Sequence, residues 1–175
     1  AIDFSTPETA FNNISHAIKN NIPIISGTTG WLEKLEEIKK LCTQYNGSFL
    51  YASNFSIGVN MFFKLNIELA KLMQDKIYTT SISETHHLEK LDKPSGTSKT
   101  LSKDIQKELK ITPNIISHRV ENKIGTHEIK YASEIDSIKI VHEAKTRDGF
   151  AYGALLAAEW IRNKKGIFSM QDVLN

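Results

Sequence analysis

The 175-residue sequence carries a net charge of +2, with 40% hydrophobic and 24% charged residues, the profile of a soluble globular protein of one domain or two small ones. Its lysines are scattered, with no basic stripe and no interleaved aromatics, which argues against nucleic acid, and no apolar run reaches the ~18 residues of a membrane span. The single cysteine, Cys42, excludes an internal disulfide framework and suits a reducing cytosol, so a cytoplasmic location is expected.

Residues 1–4 are predicted as a buried strand. Thr6 caps a helix with Pro7 at its first position and Glu8 near its positive end, and Ala10, Phe11, Ile14, Ala17 and Ile18 share one face. A strand over 22–25 runs into Ser26-Gly27-Thr28-Thr29-Gly30. A second helix follows, with Trp31, Leu32, Leu35, Ile38, Cys42 and Tyr45 expected inward, then a third strand over 49–52. Strands separated by helices of this length predict a parallel sheet with right-handed crossovers. Residues 58–74 are apolar nearly all round, the pattern of a helix that is buried or lies between layers. A strand over 77–84, a loop and a helix over 97–109 come next, with Leu101, Ile105 and Leu109 on one stripe. Three strand-like runs follow near 114–120, 125–132 and 137–142, with turns at Asn122-Lys123 and Glu134-Ile135-Asp136; their close spacing predicts antiparallel pairing. An alanine-rich helix over 149–163 ends before Gly166.

Chemistry concentrates in Glu84-Thr85-His86-His87-Leu88-Glu89-Lys90-Leu91-Asp92-Lys93-Pro94-Ser95-Gly96-Thr97, a loop between a strand and a helix. It gathers two imidazoles, several ammonium groups and a turn that opens a helix, the parts needed to bind and protonate a small dianionic acid. His86 and His87 are neighbours and point to opposite sides on extended backbone, so they serve different tasks. Lys90 and Lys93 read by themselves as surface lysines. Glu84 and Asp92 either orient His87 or Lys90 or are simply exposed. Ser95-Gly96-Thr97 is either an ordinary cap or an anion site at the positive helix end; the histidines just upstream favour the anion site. Gly27-Thr28-Thr29-Gly30 lies at the carboxyl edge of the parallel sheet, where open α/β folds bind ligands. There is no H-E-x-x-H and no cysteine partner set, so no metal is expected, and His16, His118, His127 and His142 read as structural.

The run at 84–97 closely resembles the E-x-H-H-x-x-K-x-D-x-P-S-G-T signature of dihydrodipicolinate reductases. Four further segments are similar to the same family in the same order: Ile2-Asp3-Phe4-Ser5 with Pro7-Glu8, Gly27-Thr28-Thr29-Gly30, Asn54-Phe55-Ser56-Ile57-Gly58-Val59-Asn60, and Gly166-Ile167-Phe168-Ser169-Met170-Gln171-Asp172-Val173-Leu174. The resemblance implies an α/β plus α+β architecture. Residues 1–57 and 149–175 would be the second half of a Rossmann-like parallel-sheet domain, and 58–148 a mixed or antiparallel sheet domain for substrate binding and tetramerisation. It implies reduction of dihydrodipicolinate, or its hydrated 4-hydroxy form, by NADH or NADPH in diaminopimelate and lysine biosynthesis. His86 becomes the general acid and Lys90 the source of positive charge. His87, Ser95, Gly96 and Thr97 become ligands of a substrate carboxylate. Gly27, Thr28, Thr29, Ala52, Ser53, Asn54 and Phe55 would border the nicotinamide. Partners are the dicarboxylate and further copies of the chain as a homotetramer, with no nucleic acid and no membrane. The sequence holds no G-x-G-x-x-G, which the family carries upstream of the segment matching Ile2-Asp3-Phe4-Ser5. The chain therefore reads as a fragment without the first half of its cofactor domain, and the alternative function is a non-catalytic dicarboxylate-binding or assembly module. One departure is Glu121, which stands where the family's R-x-G…G-x-H run expects glycine, although Arg119, Gly125 and His127 fit; if that site needs positive φ, the glutamate carries a cost.

Overall fold

A computed structural model describes residues 1–175. In chain order the elements are β1 (Ile2–Asp3), α1 (Pro7–Lys19), β2 (Ile24–Ser26), α2 (Leu35–Gln44), β3 (Ser48–Tyr51), α3 (Ile57–Leu72) and β4 (Thr79–His86). They continue with α4 (Gly96–Leu109), β5 (Asn114–Arg119), β6 (Gly125–Ala132), β7 (Ser137–Ala144), α5 (Asp148–Trp160), β8 (Gly166–Phe168) and α6 (Met170–Val173). They form two compact units, Ala1–Ile57 with Asp148–Asn175, and Gly58–Arg147.

In the first unit β1, β2, β3 and β8 form a wholly parallel sheet in the order β1-β2-β3-β8. Alternate residues of its strands face opposite layers. Ile24 and Phe49 pack with Ile14, Ile18, Trp31 and Ile38 of the α1–α2 side, while Ile25 and Leu50 pack with Ala154, Ala157 and Met170. The α1 start follows its sequence: Pro7 leads the helix, and the Thr6 N–H donates to Thr9 Oγ1 at 3.3 Å. Gly153 is required by close approach, because a Cβ there would lie 1.8 Å from the Phe55 carbonyl oxygen. Two inward assignments are corrected. Leu32 and Tyr45 are 43% and 38% exposed, since residues 32–34 form a 3₁₀ turn before α2, and Tyr45 lies past its end. The strand β8 and helix α6 carry no periodic signal and were not expected.

In the second unit the strand order is β5-β4-β6-β7. β4 and β5 are parallel, joined through α4, while β6 lies antiparallel on the other side of β4 and β7 antiparallel to β6. The expected antiparallel run therefore holds only for β6–β7, because α4 carries the chain back to start β5 at the same end as β4. One sheet face is covered by two helices: Phe62, Phe63 and Met73 of the α3 side and Leu101 and Ile105 of α4 pack on Ile82, Ile129 and Tyr131. α3 is not buried all round, since Met61, Leu65 and Leu72 are 39%, 50% and 72% exposed. Glu121 does not take the left-handed conformation. The turn after β5 places it at Asn122, with φ 60°, a residue that tolerates αL.

Candidate active site

Strand β4 ends at His86 and delivers the signature loop, and α4 starts immediately after it. The loop's main chain is held by Arg119 of β5, whose guanidinium donates to the carbonyls of Lys90 at 3.1 Å and Asp92 at 2.6 Å. Long-range pairing thus fixes a segment that local propensity leaves undefined.

His86 is 7% exposed. Its ring stands edge-on to His127, with centroids 5.0 Å apart, and slots over Gly125, where a Cβ would come within 3.3 Å of both Cδ2 and Nε2. Nδ1 is closed off from solvent with no hydrogen-bond partner, which leaves Nε2 as the nitrogen a ligand can reach. Burial pushes the His86 pKa down from the ordinary imidazole value, partly countered by Glu84. His87 sits on the opposite side, as adjacent residues of an extended strand must. Its Nδ1 is 2.9 Å from Glu89, and its Nε2 is 3.3 Å from the guanidinium of Arg147. Both residues line a depression of about 500 Å³ with Asn122, Lys123 and Ile124. Arg147 belongs to no motif in the sequence and was missed; only the strand pairing that returns β7 to this end brings it here.

Lys90 pairs with Asp92 at 2.6 Å, and the Gly96 N–H at the start of α4 also donates to the Asp92 carboxylate, holding that carboxyl below its usual range despite partial burial. The positive helix end and the ammonium group thus already face one carboxylate. Gly96 is exposed and a Cβ on it would touch nothing within 4 Å, so the site is open. Ser95 is turned inward instead. Its N–H donates to both oxygens of Glu84 at 3.1 Å, and its hydroxyl accepts from the Ser98 N–H and lies 3.3 Å from His127 Nε2. Ser95 therefore builds the α4 start, while Gly96 lies exposed with its N–H on Asp92.

Glu84 is fully buried and orients neither His87 nor Lys90. Ser98 Oγ donates to it at 2.6 Å, Arg119 lies at 3.6 Å, and His86 Nδ1 and His127 Nε2 each lie 3.9 Å away. Its pKa is lowered to about 2: burial alone would raise it, and hydrogen bonds from Ser95, Ser98 and Ser117 prevail. The donor atoms of Glu84, His86 and His127 lie within 4.8 Å of one another, a composition that suits a cation. Both Glu84 oxygens already accept hydrogen bonds, so the cluster is built as a hydrogen-bonded charge network.

In the other unit the expected cofactor residues gather at the carboxyl ends of β1, β2 and β3. The Thr28 hydroxyl donates to Asp3 at 2.8 Å and accepts from the Ser5 N–H at 2.8 Å, while its carbonyl accepts from the Trp31 indole at 2.7 Å. Thr28 is thus a brace for the edge. The Phe4 ring, 58% exposed, lies where a Gly27 Cβ would be, 2.2 Å from it, and packs on Phe55 at 5.5 Å. Ala52 and Phe55 are buried, Asn54 Oδ1 accepts from the Ser56 N–H at 2.9 Å, and Thr29 and Ser53 are exposed. This edge thus presents an exposed aromatic face, Phe4, with Thr29 and Ser53 exposed on the loops after β2 and β3.

A parallel α/β unit with an open carboxyl edge, and a second unit that sets a buried imidazole at a strand end ahead of a helix start, define an α/β protein of the two-unit kind. Residues 58–174 match the family described as dihydrodipicolinate reductase, C-terminus, and residues 1–55 match dihydrodipicolinate reductase, N-terminus. The 4-hydroxy-tetrahydrodipicolinate reductase of Christiangramia forsetii is 47% identical over 188 residues, covering 100% of this chain and 79% of that protein. The protein of the same name from Methanoregula boonei is 35% identical, covering 99% of this chain and 73% of its own. Among solved structures, a dipicolinate-bound dihydrodipicolinate reductase from Paenisporosarcina superposes with a TM-score of 0.76 at 22% identity over 98% of this chain and 72% of that one, a likeness of fold. The chain belongs to the dihydrodipicolinate reductase family, whose members are pyridine-nucleotide-dependent oxidoreductases.

Proposed function

We propose that the protein reduces dihydrodipicolinate, or its hydrated 4-hydroxy form, to tetrahydrodipicolinate in diaminopimelate and lysine biosynthesis. The observation that carries this reading is the arrangement around β4. A buried imidazole with one open nitrogen stands at the strand end, and the loop that follows joins a lysine to the N–H groups of a helix start. Gly27, Thr29 and Ala52 to Phe55 would hold NADH or NADPH, which when bound would supply the hydride that reduction of the conjugated imine at ring C4 requires.

His86 delivers a proton from Nε2 to C3 of the enamine that results. A positioned acid of this kind is worth ~10²–10⁴ in rate. Lys90 and the Gly96 and Thr97 N–H groups bind one carboxylate, which takes the place now held by Asp92 and gains the same two kinds of donor. His87 and Arg147, 3.3 Å apart, hold the second. The arriving dianion also raises the proton affinity of His86, offsetting the burial that lowers it.

We place the protein in the cytoplasm and infer a homotetramer assembled through the outer face of the second sheet. The apolar residues of the strands over 114–144 divide between the two faces of that sheet. Ile115, Ile129, Tyr131 and Ile140 face the helices, and Ile116, Val120 and Val141 remain 46%, 46% and 55% exposed. A row of paired residues, Ile116, Ser83, Glu128 and Val141, crosses that face. Light scattering should show a species near four times the 19.7 kDa chain; a single species at the chain mass would sink the assembly.

The catalytic reading is tested by following NADH and NADPH absorbance when the full-length protein meets the pathway intermediate. Oxidation that pyridine-2,6-dicarboxylate inhibits competitively supports it. Dicarboxylate binding with no oxidation of either nucleotide would favour the non-catalytic binding or assembly role.

A further inference from the structure

We infer that Glu84 is a positioning residue for the proton donor: its buried carboxylate sets the His86 ring with Nδ1–H inward and provides the negative charge beside which that ring carries its proton. The inference rests on the reading of His86 as general acid. Three observations support it. First, Glu84 is fully enclosed and immobilised, with the Ser95 N–H on both of its oxygens at 3.1 Å and Ser98 Oγ at 2.6 Å. These donors belong to the first turn of α4, so the carboxylate is fixed in the frame that also presents the anion site. Second, with a pKa near 2 it stays ionised at any pH at which an imidazole titrates.

Third, His86 Nδ1 is a buried polar atom with no partner, and Glu84 Oε2 lies 3.9 Å from it. An orphaned buried polar atom costs ~1–3 kcal/mol and calls for an explanation. A nitrogen facing a carboxylate does best as a donor, so the neutral ring takes the Nδ1–H tautomer. On protonation the new N–H is then at Nε2, the open nitrogen.

The charged and titratable groups facing this ring are few. Glu84 stands on its own strand, Lys90 and Asp92 on the loop, Arg119 on β5 and His127 on β6; His142 of β7 lies behind His127. Lys90 and Arg119 oppose the imidazolium, while Glu84 and Asp92 favour it. Asp92 is about half exposed and occupies the position a substrate carboxylate takes, so Glu84 is the fixed member of the favourable pair. His127, pushed down to about 4 by burial and then by His86, remains neutral and acts as a wall.

The tautomer is read directly in the unmodified chain from ¹⁵N chemical shifts of labelled His86 at a pH above its titration. The expected result is Nδ1–H, and an Nε2–H tautomer would overturn the inference even if no variant folds. In the full-length protein, Glu84→Gln should lower kcat at least ~10-fold above neutral pH and move the falling alkaline limb of kcat down by about one pH unit, since one unit of pKa is tenfold in the protonated fraction there. Affinity for pyridine-2,6-dicarboxylate should stay within about threefold. Ser98→Ala removes a hydrogen bond to Glu84 without removing the charge, and its limb should coincide with the parent's. A limb that does not move in Glu84→Gln would reduce Glu84 to a structural brace. Full activity in His86→Gln would instead discard the general-acid reading while leaving the tautomer result standing.

Discussion

Gly125→Ala tests how tightly the proton donor is held. The new methyl would lie 3.3 Å from two atoms of the His86 ring, inside the 3.4–4 Å of ordinary contact, so the ring must retreat by a few tenths of an ångström. Behind it stand His127 and Glu84, both buried, so the retreat moves Nε2 rather than being absorbed. Overpacking of this kind costs ~1–3 kcal/mol, and replacing glycine by alanine in compatible backbone returns ~0.4–1 kcal/mol through the unfolded chain. The net loss of stability is then ~0–2.6 kcal/mol, with Tm falling by about 2–4 °C per kcal/mol. Misplacement of a catalytic group by about 1 Å can cost ~10²-fold, so a shift of a few tenths should lower kcat by roughly 4–10-fold while KM changes less than about twofold. Steady-state kinetics beside a thermal melt measure both. A kcat within twofold of the parent at unchanged Tm would refute the claim that the His86 ring position governs the chemistry.

Lys90→Ala should lower kcat by ~10-fold or more, because its ammonium also meets the negative charge that develops as the imine is reduced, whereas His87→Ala should appear chiefly in KM; Michaelis curves for both variants separate the two, and an effect of Lys90→Ala on KM alone would remove Lys90 from the chemical step. Glu84 also predicts an acid response. Its folded pKa near 2 lies below the unfolded value of about 4.5, so its stabilisation is complete above pH ~4.5 and is lost as pH falls toward 2, at most about 3 kcal/mol. Urea midpoints across that window should decline less steeply in Glu84→Gln than in the parent. Ile82→Ala removes a fully buried side chain from the second core, and denaturant unfolding should show a loss of ~2–5 kcal/mol.

The parallel sheet and its crossovers were legible because each strand and helix of the first 57 residues carries its own period. What periodicity does not contain is which strands pair and which face of a uniformly apolar helix is covered. Hence close spacing predicts β5 antiparallel to β6 although it runs parallel to β4, and the uniform apolar pattern of α3 does not show that Met61, Leu65 and Leu72 lie exposed. The site shows the same division. The spacing of His86, His87, Lys90 and Gly96 points to acid–base and anion chemistry before any fold is known. The inward turn of Ser95, the Arg119 clamp on the loop, the approach of Arg147 to His87 and the burial of Glu84 arise from pairing across β4, β5 and β6, and no local signal carries them. The engagement of the Thr28 hydroxyl with Asp3 and Ser5 likewise comes from pairing across the sheet edge and has no local signal.

The account turns on His86 as the group that gives up the proton. Its most direct test compares His86→Gln with the parent in the full-length protein, measuring kcat and KM for nucleotide oxidation on the pathway intermediate. A loss of ~10²-fold or more in kcat, with KM nearly unchanged and pyridine-2,6-dicarboxylate still bound, is the predicted result, because a proton donor acts mainly in the transition state. A kcat within a few-fold of the parent would contradict it and move the acid to another residue.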